Sequence, residues 1–299
     1  MLTTGFVGLG AMGRHMVRHL LTHKFAVSVF DVNAEALREA NELGAHLCGS
    51  PREVADSADV VMVCLPTPDI VRAAVLGPNG VIEGKSVKVY IDHSTTGPSV
   101  AREVSATLAQ KGITALDGPL AGGVAGAEAG TLSVMVSGPA AAFREVEGIL
   151  KAFGRNVAHV GDLAGHGQVL KLINNMIVGT TLIAASEAVL FGVKNGLDAE
   201  VILKMLNVST GRSFTTEEIL GRRILDRTFD FGFRMELMLK DLRLFVHEAE
   251  RSGAPSVVNT VAKEAYEWAV AHGLAERDMS SVVEELEQRF GAKIARKAA

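Results

Sequence analysis

Cysteine is scarce in this sequence, which has only Cys48 and Cys64 among 299 residues. Two thiols cannot build the disulfide framework of a small secreted domain. Cys64 lies inside the apolar run VVMVCLP, where a thiol is expected to be buried as a small hydrophobic group. The cysteine content therefore favours a reducing compartment, and we expect a cytoplasmic protein.

An excess of charge of one sign is also missing. Thirty Lys and Arg face 34 Asp and Glu, so the formal net charge is -4. Nucleic acid is not expected as a partner, because binding it depends on many phosphate contacts from basic residues. Histidines are scattered, and no Cys, His and Asp cluster has the spacing of metal ligands, so no metal is predicted.

A membrane-spanning run is not predicted either. The uncharged segment from Leu172 to Ser186 is shorter than the roughly 20 residues needed to cross a bilayer, and it contains Asn174 and Asn175. The first residues, MLTTGFVGLG, have no basic region of the kind that begins a signal peptide. We therefore expect a soluble protein with no membrane partner.

The order of the hydrophobic patterns predicts two domains. Up to about residue 160, short apolar runs such as TGFVGLG, AVSVFDVN and KVYIDHS alternate with helical patterns. This βαβ rhythm indicates a mainly parallel sheet covered by helices. Beyond about residue 165 only helical patterns follow, so we predict an α/β domain over 1–163 and an all-helical domain over 164–299. The predicted helices of the second domain cover 167–194, 198–207, 215–225, 234–252, 256–272 and 280–290.

A glycine pattern follows the first predicted strand and opens a helix, as in dinucleotide-binding domains. Gly8 is expected to make the tight turn, Gly10 to let a pyrophosphate approach the backbone, and Gly13 to let the helix pack on the strand. The predicted cofactor-binding residues of this loop are Gly8, Leu9, Gly10, Ala11, Met12 and Gly13.

Asp31 ends the second predicted strand. A carboxylate at this point can accept hydrogen bonds from both ribose hydroxyls and would repel a 2′-phosphate, which favours NAD over NADP. The alternative is that Asp31 only starts a turn with Asn33. Arg38 lies on the following helix and is expected to be solvated.

Lys171, Asn174 and Asn175 share one face of the predicted helix 167–194, because they stand at i, i+3 and i+4. Their neighbours are apolar, which disfavours a charged lysine and predicts a lowered pKa suited to a general acid–base. The alternative is a snorkelling lysine beside two exposed amides. Adjacent asparagines in an apolar helix need partners, and this favours a site.

Two further segments carry polar or glycine-rich features. IDHSTTGPS places Ser94 and Thr95 at the end of a predicted strand, where parallel sheets bind ligands, although one hydroxyl there could only cap the next helix. DGPLAGGVAGAEAGTLSVMVSG has six glycines in 22 residues, which indicates a close approach to the backbone. Lys240 and Asp241 are expected to form a solvated pair on a helix.

Five ordered blocks resemble the β-hydroxyacid dehydrogenase family over about residues 4–290. They are GFVGLGAMG, DHSTTGP, DGPLAGGVAGAEAGTL, GHGQVLKLINN and FGFRMELMLKDL. The resemblance implies a Rossmann domain followed by a helical domain built around a long interdomain helix. It implies an NAD-dependent enzyme that interconverts a short β-hydroxy acid and its aldehyde or keto acid, and a homodimer or homotetramer.

The resemblance also assigns roles to individual residues. Lys171 is implied as the catalytic acid–base. The implied substrate ligands are Ser94, Gly122, Gly123, Asn174, Asn175 and Phe231. The implied cofactor contacts outside the glycine loop are Leu65, Pro66, Thr95 and Lys240.

One departure from the family concerns Ala121, since relatives usually read Ser-Gly-Gly where this chain has Ala121-Gly122-Gly123. A hydroxyl donor to the substrate is therefore missing. Two alternatives stay open: an NADP-linked reductase of a related substrate class, such as an aldonate, a sulfonate analogue or an imine, and a non-catalytic NAD-binding interaction module.

Overall fold

A computed structural model of the chain describes residues 2–297. The chain divides after Lys171 into two compact units. The sequence analysis placed the boundary earlier, after residue 163. The difference arises because the first six residues of the long helix, which begins at His166, belong with the first unit.

The first unit is built on one nine-stranded sheet. Its strands are β1 (Thr4–Val7), β2 (Val27–Phe30), β3 (His46–Leu47), β4 (Val60–Val63), β5 (Val89–Asp92), β6 (Thr114–Asp117), β7 (Leu120–Ala121), β8 (Leu132–Ser137) and β9 (Gly154–Gly161). The order across the sheet is β3-β2-β1-β4-β5-β6-β8-β7, and β9 pairs with β8. The first six strands are mutually parallel, as predicted, while β8 runs antiparallel to β6 and β7.

Helices cover both faces of this sheet. They are α1 (Gly13–Thr22), α2 (Ala34–Glu42), α3 (Pro51–Ser57), α4 (Pro68–Leu76), α5 (Pro98–Ala109), α6 (Gly123–Ala129) and α7 (Ala140–Leu150). Strands β4 and β5 are buried at every position, and their alternate residues enter two separate hydrophobic cores. Burial on both faces explains why the sequences of these strands are nearly continuous apolar runs.

The strand order reverses between β1 and β4. The loops that leave the carboxyl ends of these two neighbouring strands start at Gly8 and Cys64. In open parallel sheets, ligands bind outside the strand ends at such a reversal. The fold therefore places the glycine loop and Leu65 at the position where a dinucleotide is held.

The second unit is helical. After α8 (His166–Lys194), which begins in the first unit, come α9 (Ala199–Leu206), a π-helix (Thr215–Ile224), α10 (Met235–Arg251), α11 (Val257–Ala269), a short π-helical segment (Val270–Leu274), a 3-10 turn (Met279–Ser281) and α12 (Val282–Phe290). These bounds agree closely with the helices predicted from the sequence. Leu182, Val189 and Leu190 of α8 contribute to the unit's hydrophobic core.

The helix α8 alone, among residues 2–297, is long and apolar enough by length and composition to cross a membrane. The uncharged segment considered above is too short, but the complete helix has 29 residues. Its buried face carries Lys171 and Asn175 together with core residues. Apolar residues lie on its exposed side as well, among them Ile173 and Ile177, so only part of the helix surface is in the core.

Candidate active site

The loop between β1 and α1 has three glycines in three different environments. A Cβ on Gly8, which has φ +100°, would lie 2.4 Å from the carbonyl oxygen of Cys64. A Cβ on Gly13 would lie 1.9 Å from the carbonyl oxygen of Gly8, whereas a Cβ on Gly10 would have no heavy atom within 4 Å. Gly8 and Gly13 are thus required by the fold itself, and Gly10 leaves open space beside the helix start. This arrangement fits a bound pyrophosphate.

Asp31 follows β2 and joins two segments of this region. Its Oδ2 accepts the backbone N–H of Leu9 at 2.5 Å, and its Oδ1 accepts the N–H of Asn33 at 2.7 Å. The turn role considered as an alternative is therefore present. A carboxylate has about four acceptor positions, so capacity for ribose hydroxyls remains on the same side chain. Its neighbour Val32 is 94% exposed and offers no charge to a 2′-phosphate.

Ser94 lies directly beyond the end of β5 and is buried. Its hydroxyl accepts the N–H of Leu65 at 2.8 Å, and it also hydrogen-bonds to the carboxyl of Asp92. Leu65 in turn lies close to Gly8, since a Cβ on that glycine would be 2.9 Å from Leu65 Cδ2. The structure therefore brings together three predicted site residues from separate loops. The helix-capping alternative is wrong for Ser94, because no side chain caps α5.

Asp92 is buried beneath Ser94. Burial is the main cause that raises the pKa of this carboxyl to about 7. The N–H of Ser94, which donates to Asp92 Oδ1 at 2.8 Å, acts in the opposite direction because it stabilises the charged form. The adjacent His93 points to the other side of the strand, where its Nδ1 lies 2.6 Å from the carbonyl oxygen of Gly118. Burial lowers the pKa of His93 to about 4. The bond to Gly118 and an edge-to-face contact with the ring of Phe153 give His93 a structural role.

The glycine pair Gly122 and Gly123 stands between β7 and α6, and both residues have positive φ, 121° and 62°. A Cβ on Gly123 would meet no heavy atom within 4 Å. The backbone at this point is accessible to a ligand, and no side chain of the pair could obstruct it. Ala121 precedes the pair as the last residue of β7, where it faces Ser133 across the antiparallel pair with β8.

Lys171 lies in the second turn of α8 and is only 9% exposed. The burial predicted for this lysine is present. The reason offered for it is wrong in part, because Leu170, Ile173 and Ile177 lie on the exposed face of the helix. The lysine is thus buried on the inner side of a helix whose outer side is apolar.

The start of α8 is held by two buried side chains. Asp117, at the end of β6, accepts the N–H of Gly165 at 2.7 Å and the N–H of Gln168 at 3.1 Å. Ser137, at the end of β8, accepts the N–H of Gly167 at 2.9 Å. These bonds satisfy backbone donors that have no partner within the helix. Burial raises the pKa of Asp117 despite them.

Asn175, one helical turn after Lys171, is oriented by an acidic residue of α10. Its Nδ2 donates to Asp241 Oδ2 at 2.5 Å, and Asn174 Nδ2 donates to Asn175 Oδ1 at 3.1 Å. The other oxygen of Asp241 pairs with Lys240 Nζ at 2.9 Å. The expectation of a solvated Lys240–Asp241 pair is wrong, because Asp241 is 2% exposed. A carboxylate buried this deeply needs its two partners.

The remaining predicted site residues are more exposed. Pro66 is exposed, and Thr95 is half-buried beside Ser94. Phe231 lies in the loop before α10, where its ring contacts the ring of Phe214 edge to face at 6.1 Å between centroids. Among residues 2–297 no group of three or more His, Cys, Asp or Glu could hold a metal ion. Burial raises the pKa of the Cys64 thiol to about 12, which makes this side chain a poor nucleophile.

Sequence reasoning missed the roles of three polar residues: Gln168 and Asp117 in the first unit, and Asp241 in the second. All three are buried. Gln168 precedes Lys171 by three residues, and this spacing was the one available signal. Asp117 and Asp241 pair with segments far away in the sequence, so no local pattern could have identified them.

Comparisons with known proteins cover both parts of the chain. The family model for the NAD binding domain of 6-phosphogluconate dehydrogenase matches residues 3–161. The model described as the NAD-binding region of NADP-dependent 3-hydroxyisobutyrate dehydrogenase matches residues 165–286. Both models concern dehydrogenases that use a nicotinamide dinucleotide.

Individual relatives match over nearly the full chain. A 2-(hydroxymethyl)glutarate dehydrogenase from Eubacterium barkeri is 35% identical over 97% of this chain and 96% of its own. A 3-hydroxyisobutyrate dehydrogenase from Pseudomonas aeruginosa is 36% identical over 89% of this chain and 91% of its own. The solved structure of Mycobacterium tuberculosis 3-hydroxyisobutyrate dehydrogenase with L-serine has a TM-score of 0.88 at 32% identity, and the match covers 96% of this chain and 99% of that one.

Proposed function

Because the chain belongs to the β-hydroxyacid dehydrogenase family and is an NAD(P)-dependent dehydrogenase, we propose that it interconverts a short β-hydroxy acid and its aldehyde with NAD as the preferred cofactor. The observation that carries this proposal is the buried Lys171 at the start of α8, in the same unit as Ser94, Leu65 and the glycine loop. It is the natural candidate for the acid–base.

The substrates named for the relatives indicate a substrate class. 3-Hydroxyisobutyrate and 2-(hydroxymethyl)glutarate both contain a hydroxymethyl group and a carboxylate on the same carbon, and so does the L-serine bound to the Mycobacterium tuberculosis enzyme. They differ only in the third substituent of that carbon. We therefore propose a substrate with this 3-hydroxypropanoate unit, of the 3-hydroxyisobutyrate or tartronate-semialdehyde type.

Proton transfer and substrate binding are assigned to different residues of the chain in this proposal. Neutral Lys171 accepts the proton of the substrate hydroxyl during oxidation and returns it to the carbonyl oxygen during reduction. Backbone N–H groups of Gly122 and Gly123 hold the carboxylate, which fixes the position of the reacting carbon. Asn175, whose amide is oriented by Asp241, is the proposed second ligand of the substrate. The glycine loop and Asp31 would hold NAD⁺, which would supply the hydride-accepting chemistry when bound.

Ser94 has a more restricted role in this proposal than the sequence suggested. Its hydroxyl already bonds to Leu65 and Asp92, so it can donate to a substrate carboxylate only by leaving Asp92. In this structure the hydroxyl accepts the N–H of Leu65, and this bond holds Leu65 beside Gly8. Leu65, Pro66, Thr95 and Lys240 remain proposed cofactor contacts.

The proposed preference for NAD over NADP rests on the carboxylate of Asp31. Two backbone N–H groups hold its carboxylate in place, so it cannot easily turn away from a bound ribose. A 2′-phosphate would lie close to this negative charge. Arg38, the next basic residue after Asp31 in the sequence, forms an ion pair with Glu35 and is exposed.

The assembly and location of the protein are proposed on the same family basis. We propose a homodimer or homotetramer in the cytoplasm, acting on a small carboxylate-bearing hydroxy acid or aldehyde, with neither nucleic acid nor a membrane as partner. Sedimentation of the purified protein measures the oligomeric state directly.

The experiment that tests the catalytic assignment is Lys171→Ala. We expect turnover to fall by a factor of about 10² to 10⁴, the usual contribution of general acid–base catalysis, while NAD affinity stays within about twofold. The assay follows NADH absorbance with 3-hydroxyisobutyrate, 2-(hydroxymethyl)glutarate, L-serine and an aldonate. Lys204→Ala, which removes an exposed lysine of α9, is the matched control. Turnover close to that of the wild type in Lys171→Ala would rule the assignment out.

A further inference from the structure

The side chain of Gln168 forms a bridge between the start of α8 and the loop that follows β5. Its Oε1 accepts the N–H of Thr96 at 2.9 Å and the N–H of Gly97 at 3.2 Å. Its Nε2 donates to the carbonyl oxygen of Ser94 at 2.9 Å. Three hydrogen bonds from one amide thus hold three backbone groups within a four-residue loop.

This amide is completely buried, with an exposed fraction of 0%. The two backbone N–H groups can only donate, and the carbonyl of Ser94 can only accept, so the loop demands an oxygen at one position and a donor at the other. Among ordinary side chains of this length, only a glutamine satisfies both demands without charge. Buried hydrogen bonds of this kind are costly to break, because the backbone group that loses its partner has no water to replace it.

The backbone of Gln168 is anchored as firmly as its side chain. Its N–H donates to Asp117 at 3.1 Å, and the same carboxyl accepts the N–H of Gly165 at 2.7 Å. A Cβ on Gly167 would lie 2.3 Å from the carbonyl oxygen of Met135, so the helix start is also packed closely against the sheet. Gln168 therefore connects the loop after β5 to a helix start that is itself fixed against β6 and β8.

Lys171 follows Gln168 at i+3 and so lies on the same side of α8, one turn further along. Ser94 is fixed by the side chain of Gln168, and the lysine is fixed by the helix that carries it. We propose that Gln168 is a positioning residue, which holds the Ser94–Gly97 loop at a set distance from the amine of Lys171. This inference rests on the proposed function, since it gives Lys171 the acid–base role.

The consequence for catalysis is geometric. If the loop shifts against the helix, then Ser94, Leu65 and Thr95 shift relative to the proton-transferring amine. A misplacement of about 1 Å can cost roughly 10²-fold in rate. Leu65 and Thr95 are also proposed cofactor contacts, so cofactor affinity should weaken as well, but less than kcat, because the close packing at Gly8 and Gly13 holds the glycine loop in place.

Gln168→Met tests the proposal by replacing the amide with an apolar group of similar length. We expect kcat to fall about 10- to 100-fold and the dissociation constant of NAD to rise by less than about fivefold. Gln110→Met, at an exposed glutamine that ends α5, is the matched control and should leave both unchanged. A kcat within about twofold of the wild type in Gln168→Met would overturn the inference.

A second variant keeps the test decisive if Gln168→Met does not fold. Gln168→Asn keeps the amide but shortens the side chain by one methylene group, so the amide can no longer reach Thr96, Gly97 and Ser94 together. We expect kcat to fall at least about tenfold, and a normal kcat in this folded variant would equally overturn the inference.

A double-mutant cycle separates positioning from general loosening of the fold. In the Lys171→Ala background, Gln168→Met should lower the residual rate by less than about threefold, because the group it positions is gone. A full additional 10- to 100-fold loss there would show a merely structural role and overturn the inference. Normal turnover in Lys171→Ala itself would instead remove the proposed function, so the two failures are distinguishable.

Discussion

Ala121 is the residue at which this chain departs from the Ser-Gly-Gly sequence usual in its family. The change removes a hydroxyl immediately before the glycine pair proposed to hold the substrate carboxylate. Binding of the substrate carboxylate should therefore depend more on the backbone N–H groups of Gly122 and Gly123. Ala121 itself is half-buried at the end of β7.

Ala121→Ser should restore this donor. We expect the KM for a 3-hydroxypropanoate substrate to change about three- to tenfold, the effect of one hydrogen bond, with NAD affinity unchanged. The measurement is the KM of each acid in the substrate panel, with Ala129→Ser at the exposed end of α6 as the control. Equal KM values in Ala121→Ser and the wild type for every acid would show that this position does not determine specificity.

Asp92 gives the stability of the protein a specific pH dependence. Burial raises the pKa of this carboxyl to about 7, above the value of about 3.9 in an unfolded chain. Its contribution to the free energy of unfolding is therefore fully present below about pH 4 and declines as the pH rises to about 7. Above that pH the protein holds a buried negative charge close to Asp117.

Asp92→Asn removes this charge while keeping an oxygen that can accept the N–H of Ser94. Relative to the wild type, the variant should gain stability between about pH 4 and 7, by a few kcal/mol at most, and the difference should stay constant above that range. Urea unfolding at about pH 5 and about pH 8 measures it, with Asp69→Asn as an exposed control. A difference that does not grow with pH would contradict the prediction.

At the scale of elements, the turn from β2 into α2 is the part expected to select the cofactor. Asp31 ends the strand region, Val32 is exposed, and Asn33 caps α2 by accepting the N–H groups of Glu35 and Ala36. The cap fixes the backbone here, so the selection should rest on the side chains of Asp31 and Val32.

The paired change Asp31→Ser and Val32→Arg should reverse the preference for NAD. It removes the carboxylate and offers a guanidinium to a 2′-phosphate, so the ratio of kcat/KM for NADP to that for NAD should rise at least about tenfold. Glu39→Ser, at an exposed acidic residue of α2, should leave the ratio unchanged. No change of the ratio in the double variant would refute the proposed basis of NAD preference.

Most elements could be predicted from the sequence, because their signals are local. Strands β1, β2, β4, β5 and β6 appear as short apolar runs, and the helical spacing of the second half gives the bounds of α8 and α10 closely. The glycine pattern likewise predicts the loop after β1. These features depend on residues within a few positions of one another.

The buried polar bonds of each unit could not be predicted, because they join segments that are distant in the sequence. Asn175 is separated from Asp241 by 66 residues, and Gln168 from Thr96 by 72. The pattern around Lys240 and Asp241 was indistinguishable from a solvated helix surface, so their burial was missed. Only the tertiary fold shows that Asp117 holds the start of α8.

At the scale of the whole molecule, the exposed apolar residues of the helical unit bear on the proposed assembly. Val201 and Met205 stand one turn apart on α9, and each is more than half exposed, as is Phe191 near the end of α8. An apolar stripe on a helix surface is typical of an association face. A second copy of this chain is the occupant that agrees with the proposed homo-oligomer.

Val201→Glu combined with Met205→Glu should therefore weaken the assembly. Two charges forced into an apolar contact are costly unless they find partners, so sedimentation at micromolar concentration should shift towards the monomer. Arg144→Glu, an exposed substitution on α7, controls for the change in net charge and should leave the assembly intact. A monomeric wild-type protein would contradict the proposed assembly, and an unshifted double variant would show that the contact lies on another face.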